Sequence, residues 1–88
     1  MTEKQALYYK ICYEKGNIAS AAEALFVSRS VVSRMVSDLE KEFGVTFFTR
    51  GKLGVKPTKA GDIMYKGICD AMKTQDALAR KLREAAKE

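Results

Sequence analysis

The chain contains no histidine, and its two cysteines lie far apart in the sequence. Cys12 and Cys69 belong to no CxxC or Cys/His cluster, which are the spacings that structural zinc sites use. We therefore expect no metal site, and free, buried thiols in a reducing compartment. Neither Ser33 nor Cys69 has a neighbouring base in the sequence that would activate it, and no glycine-rich loop is present to cradle a phosphate. These absences argue against an enzyme, and we expect no cofactor.

Long apolar runs, flexible linkers and internal repeats are also lacking. No stretch approaches the ~20 apolar residues of a membrane span, and the first residues do not resemble a signal peptide. We therefore expect a cytoplasmic protein without a membrane partner. The 88 residues, 47% of them apolar, are enough for one small folded domain. Because a domain of this size buries only about 60% of the surface of its unfolded chain, we also expect a partner chain.

The positive charge of the chain is unevenly distributed. The net charge is +5, and the four basic residues between Arg50 and Lys59 have no acidic residue among them. Further upstream, Arg29 and Arg34 precede the next acidic residue, Asp38. Such patches suit an anionic partner, although a solvated basic face explains the charge alone equally well.

Start and stop signals predict three helices in the first half of the chain. We expect them at residues 3–15, 18–25 and 29–42, after N-caps at Thr2, Asn17 and Ser28, with Gly16 and Gly44 as stops. Phe26 and Val27 form a short apolar connector where helix-turn-helix turns often carry glycine. Leu7 is expected on the same face of the first helix as Tyr8, Ile11 and Cys12. The expected core of the third helix and the strand that follows is Val32, Val36, Leu39, Phe43, Phe47 and Phe48.

The second half of the chain predicts a small hairpin and a long helix. Residues 45–48 are expected to form one strand and residues 53–57 another, with glycines at the turn and Pro57 ending the pairing. Thr58 caps a helix that reaches about Lys87, roughly 45 Å long at 1.5 Å per residue. The order predicts a mainly α winged helix-turn-helix, with three helices and a two-stranded wing followed by a long C-terminal helix. We divide it into a DNA-binding domain at 1–57 and a linker helix at 58–88.

Motifs of one known family occur in this sequence in order and at the right spacing. They are Ala21, Ala22, Glu23 and Leu25; Val27 and Ser28; Ser33 and Arg34; Leu39 and Glu40; Gly44; Phe48 and Arg50; and Thr58, Ala60 and Gly61. As a set they resemble the N-terminal DNA-binding domain of LysR-type transcriptional regulators over about residues 6–62. The resemblance implies sequence-specific binding of double-stranded DNA in bacterial transcription regulation, by a homodimer joined through the long helices.

Three features depart from the family pattern. Arg29 and Ser30 stand where the family often has Gln and Pro, which leaves the base preference open. Ser37 and Asp38 replace frequently basic positions, so we expect weaker attraction to the DNA backbone at the end of the third helix. The family's small-molecule-binding effector domain is missing from this chain. The sequence does not decide between a naturally short regulator and a part of a longer one.

The resemblance and the charge pattern together predict the residues that contact DNA. The first turns of a recognition helix meet base edges, so we expect base reading by Ser28, Arg29, Ser30, Ser33 and Arg34. For Arg29 a phosphate clamp is equally plausible, and for Ser28 a plain N-cap is the better interpretation. Phosphate or minor-groove contacts are expected from the wing and the start of the last helix, at Arg50, Lys52, Lys56, Thr58 and Lys59.

The apolar face of the long helix predicts pairing with a second copy, since it outlasts the domain that would cover it. The expected dimerisation residues are Tyr65, Ile68, Met72, Leu78 and Leu82. Alternatively, the helix packs its first half on the domain and frays afterward. A different function also stays open: a protein-interaction module that forms mixed dimers with a full-length regulator. Such a module needs neither the basic wing nor Arg29 and Arg34.

Overall fold

A computed structural model describes residues 1–87 of the chain. Within them it contains four helices and one two-stranded antiparallel sheet. The elements are α1 (Glu3–Lys15), α2 (Ile18–Leu25), α3 (Arg29–Phe43), β1 (Phe48–Gly51), β2 (Gly54–Pro57) and α4 (Lys59–Ala86). The predicted winged helix-turn-helix with a long final helix is confirmed.

Side-chain caps fix where the first three helices begin. Thr2 and Gln5 form a reciprocal capping box, with N···O distances of 3.1 and 2.9 Å. The Asn17 side chain accepts a hydrogen bond from the Ser20 N–H at 3.0 Å, and the Ser28 hydroxyl accepts one from the Val31 N–H at 3.4 Å. Each cap pairs a backbone N–H that the first helical turn leaves without a partner, which explains why the predicted helix starts are correct.

Three helices end in the left-handed conformation, and one of them uses an unusual residue. Gly16 and Gly44 both have φ 67°, which glycine adopts without steric cost. Phe26 ends α2 with φ 57°, and its side chain is 95% exposed. The predicted apolar connector is therefore a strained turn whose ring has no packing partner in the fold.

The core lies where α1, α2, α3 and the start of α4 meet. Tyr9, Cys12, Val32 and Leu39 are fully buried there, and the rings of Tyr9 and Phe48 stack at 5.2 Å. The expected core residues Val32, Val36, Leu39, Phe47 and Phe48 are confirmed as buried. The prediction was wrong for Phe43, which is 47% exposed as the last residue of α3, and Leu7 is 43% exposed.

The first strand lies further along the chain than predicted. β1 runs from Phe48 to Gly51 and pairs with β2 from Phe48↔Pro57 to Gly51↔Gly54. Phe47 is outside the strand because its backbone N–H has another partner. Its N–H donates to the Glu40 carboxylate at 2.7 Å, whereas its carbonyl still accepts from the Thr58 N–H at 2.9 Å, in register with the pair Phe48↔Pro57.

Helix α4 begins inside the core and then leaves it. Tyr9 donates a hydrogen bond to the Gly61 carbonyl at 2.7 Å, and Ile68 is 3% exposed. From residue 80 to residue 87 every side chain is exposed, and the long dimension of the molecule reaches 55 Å. The first half of α4 therefore packs on the helical domain. The division of the chain at residue 57, into a DNA-binding part and a linker helix, stays a prediction. No helix within residues 1–87 is long and apolar enough to cross a membrane.

Candidate nucleic-acid interface

The predicted base-reading residues lie together on the first two turns of α3. Ser28, Arg29, Ser30 and Arg34 are exposed, and Ser33 is half-buried. The Ser28 hydroxyl caps the helix and lies 3.1 Å from the Ser30 hydroxyl. The N-cap interpretation of Ser28 is therefore confirmed, while base contact by any of these residues stays a prediction.

The wing is tied to α3 by a hydrogen bond that sequence reasoning missed. Nη1 of Arg50 donates to Oγ of Ser33 at 2.9 Å. Our prediction assigned these two side chains to separate tasks, Ser33 to bases and Arg50 to the wing. The bond places the guanidinium of Arg50 beside the outward face of α3, so that β1 and the recognition helix form one continuous surface.

A second contact holds β2 against the turn between α1 and α2. The Val55 N–H donates to the Gly16 carbonyl at 3.0 Å. A Cβ atom on Gly54, which has φ 120°, would lie only 2.3 Å from the same carbonyl oxygen. The sequence marked Gly54 only as a turn residue, because a close approach to a distant backbone leaves no local pattern. Glycine at this position allows the wing to sit directly on the helical body.

The remaining predicted phosphate contacts divide into exposed cations and one engaged side chain. Lys52, Lys56 and Lys59 are exposed around the wing. Thr58 is instead the N-cap of α4: its hydroxyl donates to the Thr46 carbonyl and accepts from the Gly61 N–H at 3.1 Å. Within residues 1–87 the ion pairs are Met1–Glu42 and Lys10–Glu14, so no acid neutralises the cations of this face.

An apolar groove of about 910 Å³ lies between α1 and α4. Leu7, Phe43 and Ile63 line it with 43%, 47% and 65% of their surfaces exposed. Met64, Ile68, Ala71 and Gln75 also line it from α4, and the same 4, 3, 4 spacing continues to Leu78 and Leu82. Leu78 and Leu82 are 56% and 62% exposed. The groove and the two leucines therefore form one apolar stripe along α4.

Three of the five predicted dimerisation residues are engaged within the chain. Tyr65 stacks on Tyr13 with ring centroids 3.9 Å apart and donates a hydrogen bond to Glu14 at 2.6 Å. That bond raises the pKa of Tyr65 and lowers the pKa of the Glu14 carboxyl. Ile68 belongs to the core, and Met72 is half-buried beside it. The exposed members of the predicted set are Leu78 and Leu82.

The two cysteines are free thiols in different surroundings. Cys12 is buried and Cys69 is half-buried, so the expectation of burial is met in full only by Cys12. Burial raises the pKa of the Cys12 thiol, which favours the protonated, unreactive form. The part of the chain that the structure describes holds no group of three or more potential metal ligands among His, Cys, Asp and Glu.

The geometry above defines a winged helix-turn-helix domain of the DNA-binding class, with an exposed recognition helix joined to a basic wing. Residues 4–62 match the family described as bacterial regulatory helix-turn-helix protein, lysR family. Because this match covers more than half of the 88 residues, the chain belongs to the LysR family.

Individual relatives and structures agree with this assignment. The chain is 45% identical over 49 residues to the probable HTH-type transcriptional regulator LrrA of Synechococcus elongatus, covering 56% of this chain and 17% of that protein. It is 34% identical over 65 residues to the nitrogen assimilation regulatory protein nac of Klebsiella aerogenes, covering 74% and 21%. The crystal structure of the CbnR_DBD-DNA complex matches with a TM-score of 0.90 and 29% identity, over 98% of this chain and 99% of that one. The chain thus spans about a fifth of the length of the curated relatives it matches.

Proposed function

We propose that this chain binds double-stranded DNA in a sequence-specific manner and thereby regulates transcription. One observation carries the proposal: Arg29 and Arg34 are exposed near the start of α3, which a hydrogen bond joins to the basic wing. The similar CbnR_DBD structure is a complex with DNA, and this supports DNA binding by the fold of this chain. The relatives are named as regulators, so we propose a non-enzymatic role in the cytoplasm.

In the proposed complex α3 lies in the major groove and its side chains have distinct roles. Arg34 is exposed and forms no ion pair within residues 1–87, so its guanidinium can bond O6 and N7 of guanine with two hydrogen bonds. Ser30 and Arg29 lie one turn earlier, at bases or the adjacent phosphate. Ser33 acts through Arg50, which it holds at 2.9 Å.

Phosphate contacts fall to the wing and to the start of α4. Arg50, Lys52, Lys56 and Lys59 are exposed cations on this face, and phosphate contacts set register and affinity rather than sequence preference. The hydroxyl of Thr58 is occupied by two internal hydrogen bonds, so its contribution is to cap α4 and to orient Lys59.

We further propose a homodimer, in which the groove between α1 and α4 receives the α4 helix of a second copy. The apolar stripe on α4 continues beyond the domain to Leu78 and Leu82, which stay more than half exposed within residues 1–87. If the apolar stripes of two copies packed against each other, Leu78, Leu82 and Ile63 would be buried. Two recognition helices would then face half-sites about 34–36 Å apart on one side of the DNA.

The same groove also suits a second function, in which the chain forms mixed dimers with a longer relative. The observation that favours it is that residues of α1 and α4, together with residues 43–47, already form the groove within this chain. The two functions differ in what the purified chain does by itself. A mixed-dimer partner binds DNA weakly alone, whereas the proposed homodimer binds without help.

The test is a binding selection of the purified chain on randomised duplex DNA at about 150 mM salt, where non-specific phosphate binding is suppressed. We expect enrichment of an interrupted palindrome, which establishes a dimeric sequence reader. Enrichment of no motif, with binding that disappears as salt is added, contradicts the proposal for the isolated chain. Recovery of sequence-specific binding on adding a longer LysR-type regulator would then support the mixed dimer.

A further inference from the structure

The tip of the wing carries one fully exposed apolar side chain among cations. Gly51 and Gly54 are paired across the hairpin, so that Lys52 and Leu53 alone form the loop. Leu53 is 100% exposed. Most other exposed large apolar residues line the α1–α4 groove or extend its stripe, but Leu53 stands apart from both. Its neighbours on the wing are the exposed Arg50, Lys52 and Lys56.

The tip is held in a defined position relative to α3. On one strand Arg50 bonds to Ser33 at 2.9 Å, and on the other the Val55 N–H bonds to the Gly16 carbonyl at 3.0 Å. These bonds anchor both strands within two or three residues of Leu53. When α3 occupies a major groove, the element that extends beside it meets the phosphate backbone and then the flanking minor groove.

The chemistry of the tip fits the minor groove better than the phosphate backbone. A fully exposed leucine gains nothing at a phosphate, whereas the walls of the minor groove are apolar sugar edges. Proteins that bind this groove combine cations, which follow its negative potential, with apolar side chains that press on the base edges. Leu53 between Lys52 and Lys56 supplies both components.

We propose, on the basis of the DNA binding proposed above, that Leu53 enters the minor groove beside each half-site and selects A·T over G·C pairs there. Guanine adds an amino group that projects from the floor of the minor groove, whereas A·T pairs present only the acceptors adenine N3 and thymine O2 and leave that space free. An apolar side chain over that amino group leaves its hydrogen bond unmade, which is unfavourable. Leu53 therefore discriminates by chemical exclusion and not by hydrogen bonding.

Base analogues separate this mechanism from major-groove reading. An inosine·C pair has the major-groove face of G·C without the minor-groove amino group, and a diaminopurine·T pair adds that group to A·T. The four pair types are placed in turn at each position flanking the selected half-site, and affinities are measured for the full chain. We expect A·T and inosine·C to bind alike, and G·C and diaminopurine·T to bind about five- to tenfold more weakly at the positions under the tip.

Three variants complete the test. Leu53→Ala removes the contact, so that the four duplexes should bind within about twofold of one another, while Leu53→Met keeps an apolar side chain of similar reach and should keep the preference. Lys52→Ala, the adjacent loop residue, is the matched control: it should weaken all four duplexes equally and reduce the salt dependence by about one counterion.

Two results would overturn the role of Leu53 but not the proposed function. In the first, the unaltered chain shows no preference among base pairs flanking the half-site. In the second, Leu53→Ala leaves that preference unchanged. In both cases the half-site itself is still recognised, so the proposed function stands. Failure of the unaltered chain to prefer any half-site contradicts the proposed function, and the role of Leu53 with it.

Discussion

The surface formed by α3 and the wing differs from the surface between α1 and α4 in how its side chains are held. On the first, the Arg50 side chain of the wing is fixed to Ser33 of α3 by a hydrogen bond of 2.9 Å. On the second, apolar side chains such as Ile63 and Leu82 are 65% and 62% exposed and make none of the side-chain hydrogen bonds that hold Arg50. The first surface is already organised for a rigid polar ligand, whereas the second lacks the cover that would organise it.

The two surfaces share one structural support at the beginning of α4. Gly61 accepts the hydrogen bond of Tyr9 at 2.7 Å, and its Cα lies against the Phe47 carbonyl, which in turn precedes the wing. Changes at this point should affect both surfaces, while changes further along either surface should affect only one.

Gly61→Ala is expected to have the largest effect. The added Cβ would lie 2.2 Å from the Phe47 carbonyl oxygen, a backbone atom that cannot give way cheaply. We expect a loss of about 1–3 kcal/mol of unfolding free energy, measured by urea denaturation. Gly67→Ala on the same helix is the control, since its Cβ meets nothing within 4 Å. It should gain up to about 1 kcal/mol, because alanine is the better helix former.

Repeating both denaturation experiments at several protein concentrations separates folding from dimerisation, which matters because Gly67 lines the groove. Equal effects of the two substitutions would contradict the close contact at Gly61.

Leu78→Lys combined with Leu82→Lys is expected to separate the two surfaces. Both side chains are more than half exposed, so the fold should be retained while the apolar stripe acquires two charges. We expect monomers in sedimentation at micromolar concentration and at least about tenfold weaker binding to a palindrome, because one half-site no longer assists the other. Asp76→Lys, on the opposite face of α4, is the control and should leave both measurements unchanged. A double variant that stays dimeric would place the interface elsewhere.

Arg34→Ala is expected to act on the DNA surface alone. The side chain is exposed and makes no ion pair in the described residues, so stability should change by less than about 0.5 kcal/mol. Affinity for the selected operator should fall by about 1–3 kcal/mol, and the preference for one base pair should relax. Lys59→Ala provides the comparison, since loss of its proposed phosphate contact should weaken binding to all sequences alike. Unchanged operator affinity of Arg34→Ala at moderate salt would remove Arg34 from the interface.

The sequence predicts the first surface better than the second, and particular residues show why. Helix starts depend on local contacts such as Ser28 to the Val31 N–H, which short motifs encode directly. The position of Arg34 follows from those starts, and that of Lys52 follows from the glycines at the hairpin turn. In contrast, the start of β1 depends on Glu40, seven residues upstream, which binds the Phe47 N–H and keeps that residue out of the strand.

The spacing of apolar residues also could not predict contacts between segments that are distant in the sequence. Tyr65 and Ile68 lie only approximately on the same face of α4 as Leu82. They are not available for dimerisation because Tyr65 contacts Tyr13 and Glu14 of α1, and Ile68 is buried in the core. Likewise, nothing near Gly54 in the sequence indicates the Gly16 carbonyl against which it packs. Local patterns therefore predicted which helix carries each surface, and tertiary packing decided which side chains remain available.

Phe26→Asn is expected to have the smallest effect and refines the description of the DNA surface. Phe26 ends α2 in the left-handed region at φ 57°, where a residue with a bulky side chain loses roughly 1–2 kcal/mol and asparagine loses less. Its ring is 95% exposed, so the substitution removes no packing within the fold. We expect thermal unfolding to show a gain of up to about 1 kcal/mol, with operator affinity unchanged. A gain in stability accompanied by weaker DNA binding would instead mean that the Phe26 ring touches the bound duplex. The DNA-binding surface would then include an apolar residue at the turn between α2 and α3.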